Sequence, residues 1–388
     1  MTIDGVAPRQ VVEPDNGEGF AAALAAASRD RRHTVIVGGG TKIGWGRPPV
    51  SVDLAISTTR LNALVAHRHG DLTATVQSGL TLAALNDALG SQHQWLPVES
   101  AFDGATIGGI VATNDAGPSR HRSGTPRDLV IGITLALTDG RLVKAGGHVV
   151  KNVAGYDLGK LISGSHGSLA GIVDMTFKLV PLPAASATLI VGYAQADRLA
   201  AYVATLAGSQ VEPAAFDVNA DGEQYSLLLR VATSPAATDA QTATARALVS
   251  GDARVLTGDA ERAAWQRQLR APWEGDGAVV RFSWLPANLP EVLRIVGELH
   301  RAGTPASLVG RAMGTGFLRL EGDPQAQAAA VARLRASASV GNVAILRASH
   351  AVKAEVDVWG TRDSDRVARA FKQMFDPAGV LNAGRGPV

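Results

Sequence analysis

The chain has 388 residues, of which 46% are hydrophobic and 19% are charged, the balance of a folded globular protein. Lys and Arg total 37 against 35 Asp and Glu, so the net charge of +2 gives no electrostatic signature of nucleic-acid binding. The absence of cysteine excludes disulfides, thiolate zinc sites and iron–sulfur clusters carried by this chain.

The length exceeds what one ordinary core holds, so we expect two domains. Residues 1–20 lack a basic segment followed by an apolar core, and no apolar run approaches transmembrane length. We therefore expect a cytoplasmic protein without an integral membrane segment.

The N-terminal part predicts short strands and helices around a glycine-rich loop. Residues 18–32 have helical composition, and residues 35–37 predict a buried strand. After the loop we predict the following elements: a strand in 51–57, a hairpin over 61–79 that turns at 67–71, and a capped helix over 81–90.

The glycine-rich loop itself, Gly38, Gly39 and Gly40, exposes peptide N–H groups that no side chain screens, which suits phosphate oxygens. It lacks the spacing of a P-loop. It also lacks the third glycine of a Rossmann fingerprint, where Ile43 stands, and the prolines at 48–49 prevent the required helix. A plain glycine-rich turn is the alternative.

A second donor-rich segment lies at residues 103–117. Thr106, Gly108 and Gly109 present a hydroxyl and unobstructed peptides, and the segment is compatible with a short helix beginning near Thr106. Two such loops in one half of a chain favour phosphate binding over coincidental turns.

The composition of the chain changes after the prolines at 181 and 183, because glycine becomes less frequent. Before them, residues 128–147 predict a hairpin that turns at Asp139 and Gly140. From about 187 to 349, alternating strands and helices predict an α+β domain with helices on one face of a mostly antiparallel sheet. The final stretch, 365–388, predicts a helix followed by an irregular tail.

The order of several short motifs resembles the vanillyl-alcohol oxidase/PCMH-type flavoproteins. These motifs are GGGTK (38–42), ATIGGIVATNDAG (105–117), GTPRDLVIGITLALTDG (124–140), GSHGSLAGI (164–172) and FDPAGVLNAGR (375–385). Within that family, AGPSR (116–120), RSGTPRDLVIG (122–132) and KNVAGYDLGKLISGS (151–165) resemble the smaller FAD-binding component of bacterial glycolate oxidase, a glycolate dehydrogenase. The resemblance covers residues 34–181 and returns at 371–385.

The fold class implied by the resemblance is α+β. A PCMH-type FAD-binding domain of two α+β subdomains would occupy residues 1–185. A smaller α+β cap domain with an antiparallel sheet would occupy 186–350, and the C-terminal segment 351–388 would return to the FAD domain.

The same resemblance implies that both glycine-rich loops wrap the pyrophosphate of FAD, with Gly171 and Ile172 near the adenine and Asn382 near the flavin ring. The implied cofactor-binding residues are Gly38, Gly39, Gly40, Thr41, Lys42, Pro97, Gly104, Ala105, Thr106, Gly108, Gly109, Thr113, Gly117, Ser123, Gly171, Ile172 and Asn382.

Two departures from the family pattern bear on this site. Thr41 and Lys42 stand where many members carry a histidine that tethers the flavin, so we expect non-covalent FAD. His166 and Ala170 replace Glu and Gly of the frequent GSEGTLG motif, which leaves the adenine-side contacts open.

The implied function is that of an FAD-binding subunit of a multi-subunit glycolate (2-hydroxy-acid) dehydrogenase, which oxidises glycolate to glyoxylate or passes the electrons on. Implied partners are a larger subunit that depends on FAD and metal, an iron–sulfur subunit and a small-molecule 2-hydroxy acid. Any membrane association would come through the partner subunits. A non-catalytic assembly subunit with a vestigial flavin site, and a stand-alone FAD oxidoreductase, are the alternatives.

Catalytic residues are left unassigned. The cap metal site of the related large subunit is expected to be missing, because His300 is the single histidine between residues 187 and 349. That expectation favours a subunit that passes electrons on over one that oxidises the substrate itself. Candidates for binding a carboxylate are Arg120, Arg122 and Lys151, and candidates for a base are His148, His166 and His350.

Overall fold

The structure, a computed structural model, describes residues 1–147, 156–251 and 253–387. The chain divides into two compact units. The first comprises Met1–Gly117, Ser123–Leu182 and Thr361–Val388, and the second comprises Pro118–Arg122 and Pro183–Gly360. The expected boundary after residue 185 lies near this division, whereas the return to the first unit begins at Thr361 rather than at 351.

Two groups of contacts explain where the division differs from the expected boundaries. Val358 and Trp359 are buried in the core of the second unit, so residues 351–360 remain with it. The short segment Pro118–Arg122 also belongs there, because the Arg122 guanidinium donates to the carbonyl of Ala232 at 3.0 Å.

A three-stranded parallel sheet opens the first unit, in the order β1-β3-β2. Its strands are β1 (Gln10–Val12), β2 (Thr34–Val37) and β3 (Leu54–Ser57), and helix α1 (Gly17–Arg29) packs on it. The Asn16 side chain caps α1 by accepting from the N–H of Gly19 at 2.7 Å. The predicted helix and both predicted strands are confirmed, and β2 ends where the glycine-rich loop begins.

A five-stranded antiparallel sheet, in the order β4-β5-β9-β7-β8, forms the other part of the first unit. Its strands are β4 (Leu64–Arg68), β5 (Thr73–Gln77), β7 (Val130–Ala136), β8 (Leu142–Gly146) and β9 (Gly171–Lys178). Strand β6 (Gln94–Trp95) pairs separately with β10 (Val180–Pro181). Both predicted hairpins are confirmed, because the β4–β5 and β7–β8 pairs turn where the sequence placed them.

Short helices connect these strands. They are a 3₁₀ turn (His69–Asp71), α2 (Leu82–Gly90), α3 (Ile107–Thr113), α4 (Arg120–Ser123), α5 (Pro126–Leu129) and α6 (Leu158–Ile162). The predicted helix at 81–90 is α2, and Thr81 caps it. The short helix expected near Thr106 is α3, and Thr106 is its N-cap residue.

The C-terminal segment contains the helix Asp365–Phe375 and then a tail that the sequence predicted to be irregular. The tail runs beside β2: the N–H of Thr34 donates to the Val380 carbonyl, and the N–H of Asn382 donates to the Thr34 carbonyl, both at 2.8 Å. These bonds hold the end of the described chain next to the strand that leads into the glycine-rich loop.

The second unit is built on one eight-stranded, wholly antiparallel sheet in the order β14-β11-β13-β12-β16-β17-β15-β18. Its strands are β11 (Ala185–Tyr193), β12 (Ala215–Asp221), β13 (Gln224–Thr233), β14 (Ala253–Leu256), β15 (Ala278–Ser283), β16 (Ala306–Arg311), β17 (Thr315–Leu320) and β18 (Gly341–Arg347). Its helices are α7 (Ala196–Ala207), α8 (Pro235–Leu248), α9 (Gly258–Arg270), α10 (Leu289–Arg301), α11 (Pro324–Ala336) and α12 (His350–Glu355), with 3₁₀ turns at Ala271–Trp273 and Pro286–Asn288.

The expectation that the helices lie on one face of this sheet is wrong for α9. Trp265 of α9 packs on Leu228, away from the main core of the unit, which contains Phe216 and Val218. The Gln268 amide of α9 donates to Asp217 at 3.1 Å. Successive residues of a strand point to opposite faces, so Phe216 and Asp217 face different layers and α9 covers the second face.

Within the described residues, none of the helices combines the length and the apolar character that crossing a bilayer requires.

Candidate functional site

The glycine-rich first loop, residues 38–42, contacts the second loop directly. A Cβ placed on Gly38 would overlap the Thr106 hydroxyl, and one placed on Gly39 would overlap the Gly104 carbonyl oxygen. Gly40 has open space around its Cβ position, but its φ of +69° favours glycine. The conformation and packing of the loop therefore require glycine at all three positions.

The peptide N–H groups of this first loop are available to a ligand. Among the described residues, the N–H groups at 38–42 donate to no main-chain oxygen. Gly38, Thr41 and Lys42 are half-buried, where N–H groups are nearly always paired, and Gly39 and Gly40 are exposed. A run of such donors suits an anionic ligand.

The second loop offers fewer free peptide N–H groups than the sequence predicted. The N–H of Gly108 donates to the Ser78 carbonyl at 2.7 Å, and that of Ile107 donates to the Leu80 carbonyl at 2.8 Å. A Cβ on Gly108 would lie 2.7 Å from the Cβ of Ser78. Gly108 is thus required for packing, and its peptide is not left free as predicted.

Thr106 and Gly109 form the N-terminal cap of α3. The Thr106 hydroxyl accepts from the N–H of Gly109 at 3.4 Å, which leaves the hydroxyl proton for another acceptor. The hydroxyl of Thr113, at the other end of the helix, donates back to the Gly109 carbonyl at 2.8 Å. Of these two hydroxyls, only that of Thr106 can donate to a ligand without losing a helix bond.

Both loops line a cleft in the first unit that holds about 910 Å³ of empty space, including space open to solvent. The lining residues are Val35, Ile36, Val37, Gly38, Gly39, Gly40, Thr41, Lys42, Ile43, Trp45, Thr58, Ser78, Thr106, Gly108, Gly109, Ala112, Thr113, Ser165, His166, Gly167, Ala170, Ile172, Asn382 and Arg385. The cleft therefore brings together eleven of the predicted site residues: 38–42, Thr106, Gly108, Gly109, Thr113, Ile172 and Asn382.

Six predicted site residues do not line the cleft: Pro97, Gly104, Ala105, Gly117, Ser123 and Gly171. Three of them have a packing role instead. Gly104 supports Gly39, a Cβ on Gly117 would lie 2.5 Å from Glu99, and one on Gly171 would lie 2.5 Å from the Phe20 ring.

Lys42 lines the cleft, but its ammonium group is committed to a buried ion pair. Its Nζ lies 2.9 Å from Asp115, and both side chains are less than a tenth exposed. The same carboxylate oxygen accepts from Ser100 at 2.8 Å. The rings of Trp45 and Phe102 lie 5.8 and 5.2 Å from Nζ, at cation–π distance. The pair anchors the end of the first loop.

Arg385 is a functional residue that sequence reasoning missed. Its guanidinium is buried and donates to the carbonyls of Ile43, Trp45 and Arg47, so it joins the C-terminal tail to the first loop. Burial lowers the pKa of Arg385, but an arginine remains charged at neutral pH. The only local sign was its position in the FDPAGVLNAGR motif.

We expect Arg385→Met to destabilise the FAD-free protein by about 2–4 kcal/mol, because loop carbonyls lose a charged donor. It should also weaken FAD binding, since the first loop loses its support. Differential scanning calorimetry and FAD titration measure the two effects. Arg369→Met, on the exposed face of the C-terminal helix, is the matched control. Equal stability of the two variants would contradict this role of Arg385.

Two buried serines that the sequence analysis did not select also line the cleft, Ser78 and Ser165. Their side-chain oxygens have no hydrogen-bond partner within the described residues. A local signal existed only for Ser165, which directly precedes His166 in the GSHGSLA motif.

His166 lines the cleft with a left-handed backbone, φ +54°. Its N–H donates to the Ala112 carbonyl at 2.8 Å, and its carbonyl accepts from the Asn382 side chain. The tail, the GSHGSLA segment and α3 are therefore connected at one end of the cleft.

The other chemical candidates from the sequence lie elsewhere. His148 and Lys151 lie outside the described residues. Arg120, Arg122 and His350 belong to the second unit. Across the described chain, no three His, Asp or Glu side chains gather closely enough to hold a metal ion.

Known proteins resemble this chain both in the part that contains the two loops and over nearly its whole length. Residues 8–146 match the family described as the FAD binding domain. The fold also resembles a solved structure of alkyldihydroxyacetonephosphate synthase, with a TM-score of 0.73 at 16% identity over 97% of this chain and 76% of that one. The predicted PCMH-type α+β FAD-binding fold is confirmed, and FAD is the cofactor of this fold.

Two relatives carry informative names. The chain is 36% identical to glycolate oxidase subunit GlcE of Escherichia coli (strain K12), over 46% of this chain and 51% of that one. It is 28% identical to D-2-hydroxyglutarate dehydrogenase of Xanthomonas citri pv. viticola, over 97% of this chain and 89% of that one. The chain spans only about half the length, or less, of several curated relatives that it matches.

Two features of the cleft itself show that its residues suit FAD. In the described chain, the N–H groups at 38–42 that meet no main-chain acceptor and the Thr106 hydroxyl suit phosphate oxygens. Two buried serine hydroxyls without a partner among the described residues offer further polar contacts.

Proposed function

We propose that this chain binds FAD non-covalently and is the FAD-binding subunit of a 2-hydroxy-acid dehydrogenase of the glycolate dehydrogenase type, with a role in passing electrons. One observation carries the proposal. The first loop lines a cleft with peptide N–H groups that meet no main-chain acceptor in the described chain, and its glycines pack on the second loop.

The N–H groups at 38–42 and the Thr106 hydroxyl would hold the pyrophosphate. The tail residue Asn382 and the GSHGSLA segment would border the part of the ligand that lies farther along the cleft. When bound, FAD supplies the acceptor for the hydride of an oxidised substrate. The protein's part is to bind and orient the cofactor.

Non-covalent binding is supported by the first loop. Thr41 and Lys42 stand where a tethering histidine would lie, and Lys42 is paired with Asp115. We therefore expect denaturation to release the flavin intact.

The charges of the cleft support a role in passing electrons rather than direct oxidation of the 2-hydroxy acid by this chain. A 2-hydroxy acid needs a cation for its carboxylate. Among the described residues that line the cleft, Lys42 is paired with Asp115, and the Arg385 guanidinium donates to loop carbonyls. The substrate would then be oxidised in a larger subunit, and an iron–sulfur subunit would be the other partner.

The 2-hydroxy-acid class is supported by the relatives. Glycolate oxidase subunit GlcE and D-2-hydroxyglutarate dehydrogenase both have names that refer to such acids, and the second aligns with nearly the whole chain. Glycolate is therefore the first substrate to test.

The test is a visible absorption spectrum of the purified chain, before and after denaturation, and then with glycolate under anaerobic conditions. We expect a flavin spectrum that denaturation releases, that dithionite bleaches and that glycolate alone does not bleach. Bleaching by glycolate alone would show that this chain oxidises substrate itself and would contradict the role in passing electrons. A colourless protein that binds no added FAD would contradict the whole proposal.

A further inference from the structure

Two serines that line the cleft, Ser78 and Ser165, carry buried hydroxyl groups that lack hydrogen-bond partners within the described residues. Ser78 is 1% exposed and Ser165 is 9% exposed. Within the described residues, neither hydroxyl has a hydrogen-bond partner. Buried hydroxyls in native proteins are nearly always paired, so two in one cleft require an explanation.

Other buried serines of the same unit show the usual behaviour. The Ser168 hydroxyl donates to the Ser165 carbonyl at 2.7 Å, and the Ser57 hydroxyl lies 2.8 Å from that of Thr59. Neither Ser57 nor Ser168 lines the cleft. Of these four serines of the described chain, the two without a partner are the two that line the cleft.

The two serines lie at opposite ends of helix α3. Ser78 packs on Gly108 in the first turn, and its carbonyl accepts from that residue's N–H. At the last turn, Gly164 and His166, the neighbours of Ser165, donate to the carbonyls of Val111 and Ala112. Since Gly108 and Ala112 are four residues apart in α3, their positions differ by about 6 Å along the helix axis.

We propose that the hydroxyls of Ser78 and Ser165 are two direct contacts to the bound cofactor, one at each end of α3. Ser78 donates to a pyrophosphate oxygen, because Thr106 and the first loop lie at that end of the helix. Ser165 binds a polar group farther along the dinucleotide, beside His166. The pair selects a ligand long enough to reach both ends. This inference rests on the assignment of FAD to the cleft.

The test combines FAD affinity with the stability of the FAD-free protein. We expect Ser78→Ala and Ser165→Ala each to weaken FAD binding about five- to tenfold, the effect of one lost hydrogen bond. The double variant should weaken it by roughly the product, because the two hydroxyls share no partner within the described residues. The melting temperature of the FAD-free protein should not fall, since each removed hydroxyl was unpaired.

Ser57→Ala is the matched control, because it removes a buried hydroxyl that is paired with Thr59 and does not line the cleft. We expect it to lower the melting temperature and to leave FAD affinity unchanged. FAD fluorescence quenching and calorimetry give both readouts.

Wild-type affinity in both Ser78→Ala and Ser165→Ala would overturn the inference while leaving the cofactor assignment intact. So would a fall in FAD-free melting temperature equal to that of Ser57→Ala, with no change in affinity. Failure of the wild-type chain to bind FAD would overturn the inference together with the assignment.

Discussion

Gly39→Ala is expected to abolish retention of FAD, with a loss of affinity of at least a hundredfold, about 3 kcal/mol. The added Cβ would overlap the carbonyl oxygen of Gly104, which is a main-chain atom and cannot rotate away. The first and second loops would have to separate, and the N–H groups at 38–42 would lose their arrangement. The FAD content per purified chain, measured by absorbance, and FAD titration of the FAD-free protein report the effect.

Gly90→Ala, in the same unit, provides the control for this prediction. Among the described residues, nothing comes within 4 Å of the Cβ position of Gly90 beyond its neighbours in the chain and in its helix, and alanine suits a helix better than glycine. We expect near wild-type FAD content and no loss of stability. If Gly39→Ala kept its FAD as well as Gly90→Ala, the proposed packing of the loops would be wrong.

Asp115→Ala is expected to lower the free energy of unfolding by about 3–5 kcal/mol, because it leaves the Lys42 ammonium buried without its counter-charge. The melting temperature of the FAD-free protein should fall by roughly 10 °C for a unit of this size. Calorimetry of the FAD-free protein measures this. FAD affinity should also fall, since Lys42 ends the first loop.

A double-mutant cycle tests whether the effect comes from the ion pair. Lys42→Met combined with Asp115→Leu should cost less than either single change, because no unpaired charge stays buried. Arg141→Ala, which removes an exposed pair with Asp139, should cost less than about 1 kcal/mol. Strict additivity of the two buried changes would rule out the pair as the cause.

The elements around the cleft were predictable because their signals are local. The β-branched run before Gly38, the turns at 67–71 and 139–140 and the cap at Thr106 each depend on neighbours within a few residues. The order of the motifs then predicted the fold and the cofactor, which the family match confirms.

The helix α9 shows where local signals failed. Trp265 and Gln268 contact the second face of the large sheet, through Leu228 and Asp217. The pattern of one helix indicates which of its faces is apolar, but not which side of a sheet it will cover. That choice depends on how the strands are ordered, and the eight strands of this sheet are not in chain order.

The sequence alone determined that two glycine-rich loops, an apolar strand and a capped helix exist in this chain, because these depend on backbone freedom and short-range hydrogen bonds. Only the tertiary structure decided what each residue does there. It paired Gly108 with Ser78, Lys42 with Asp115, and Arg385 with carbonyls near the start of the chain. Such partners lie far apart along the sequence, and a contact between distant segments leaves no periodicity in either one.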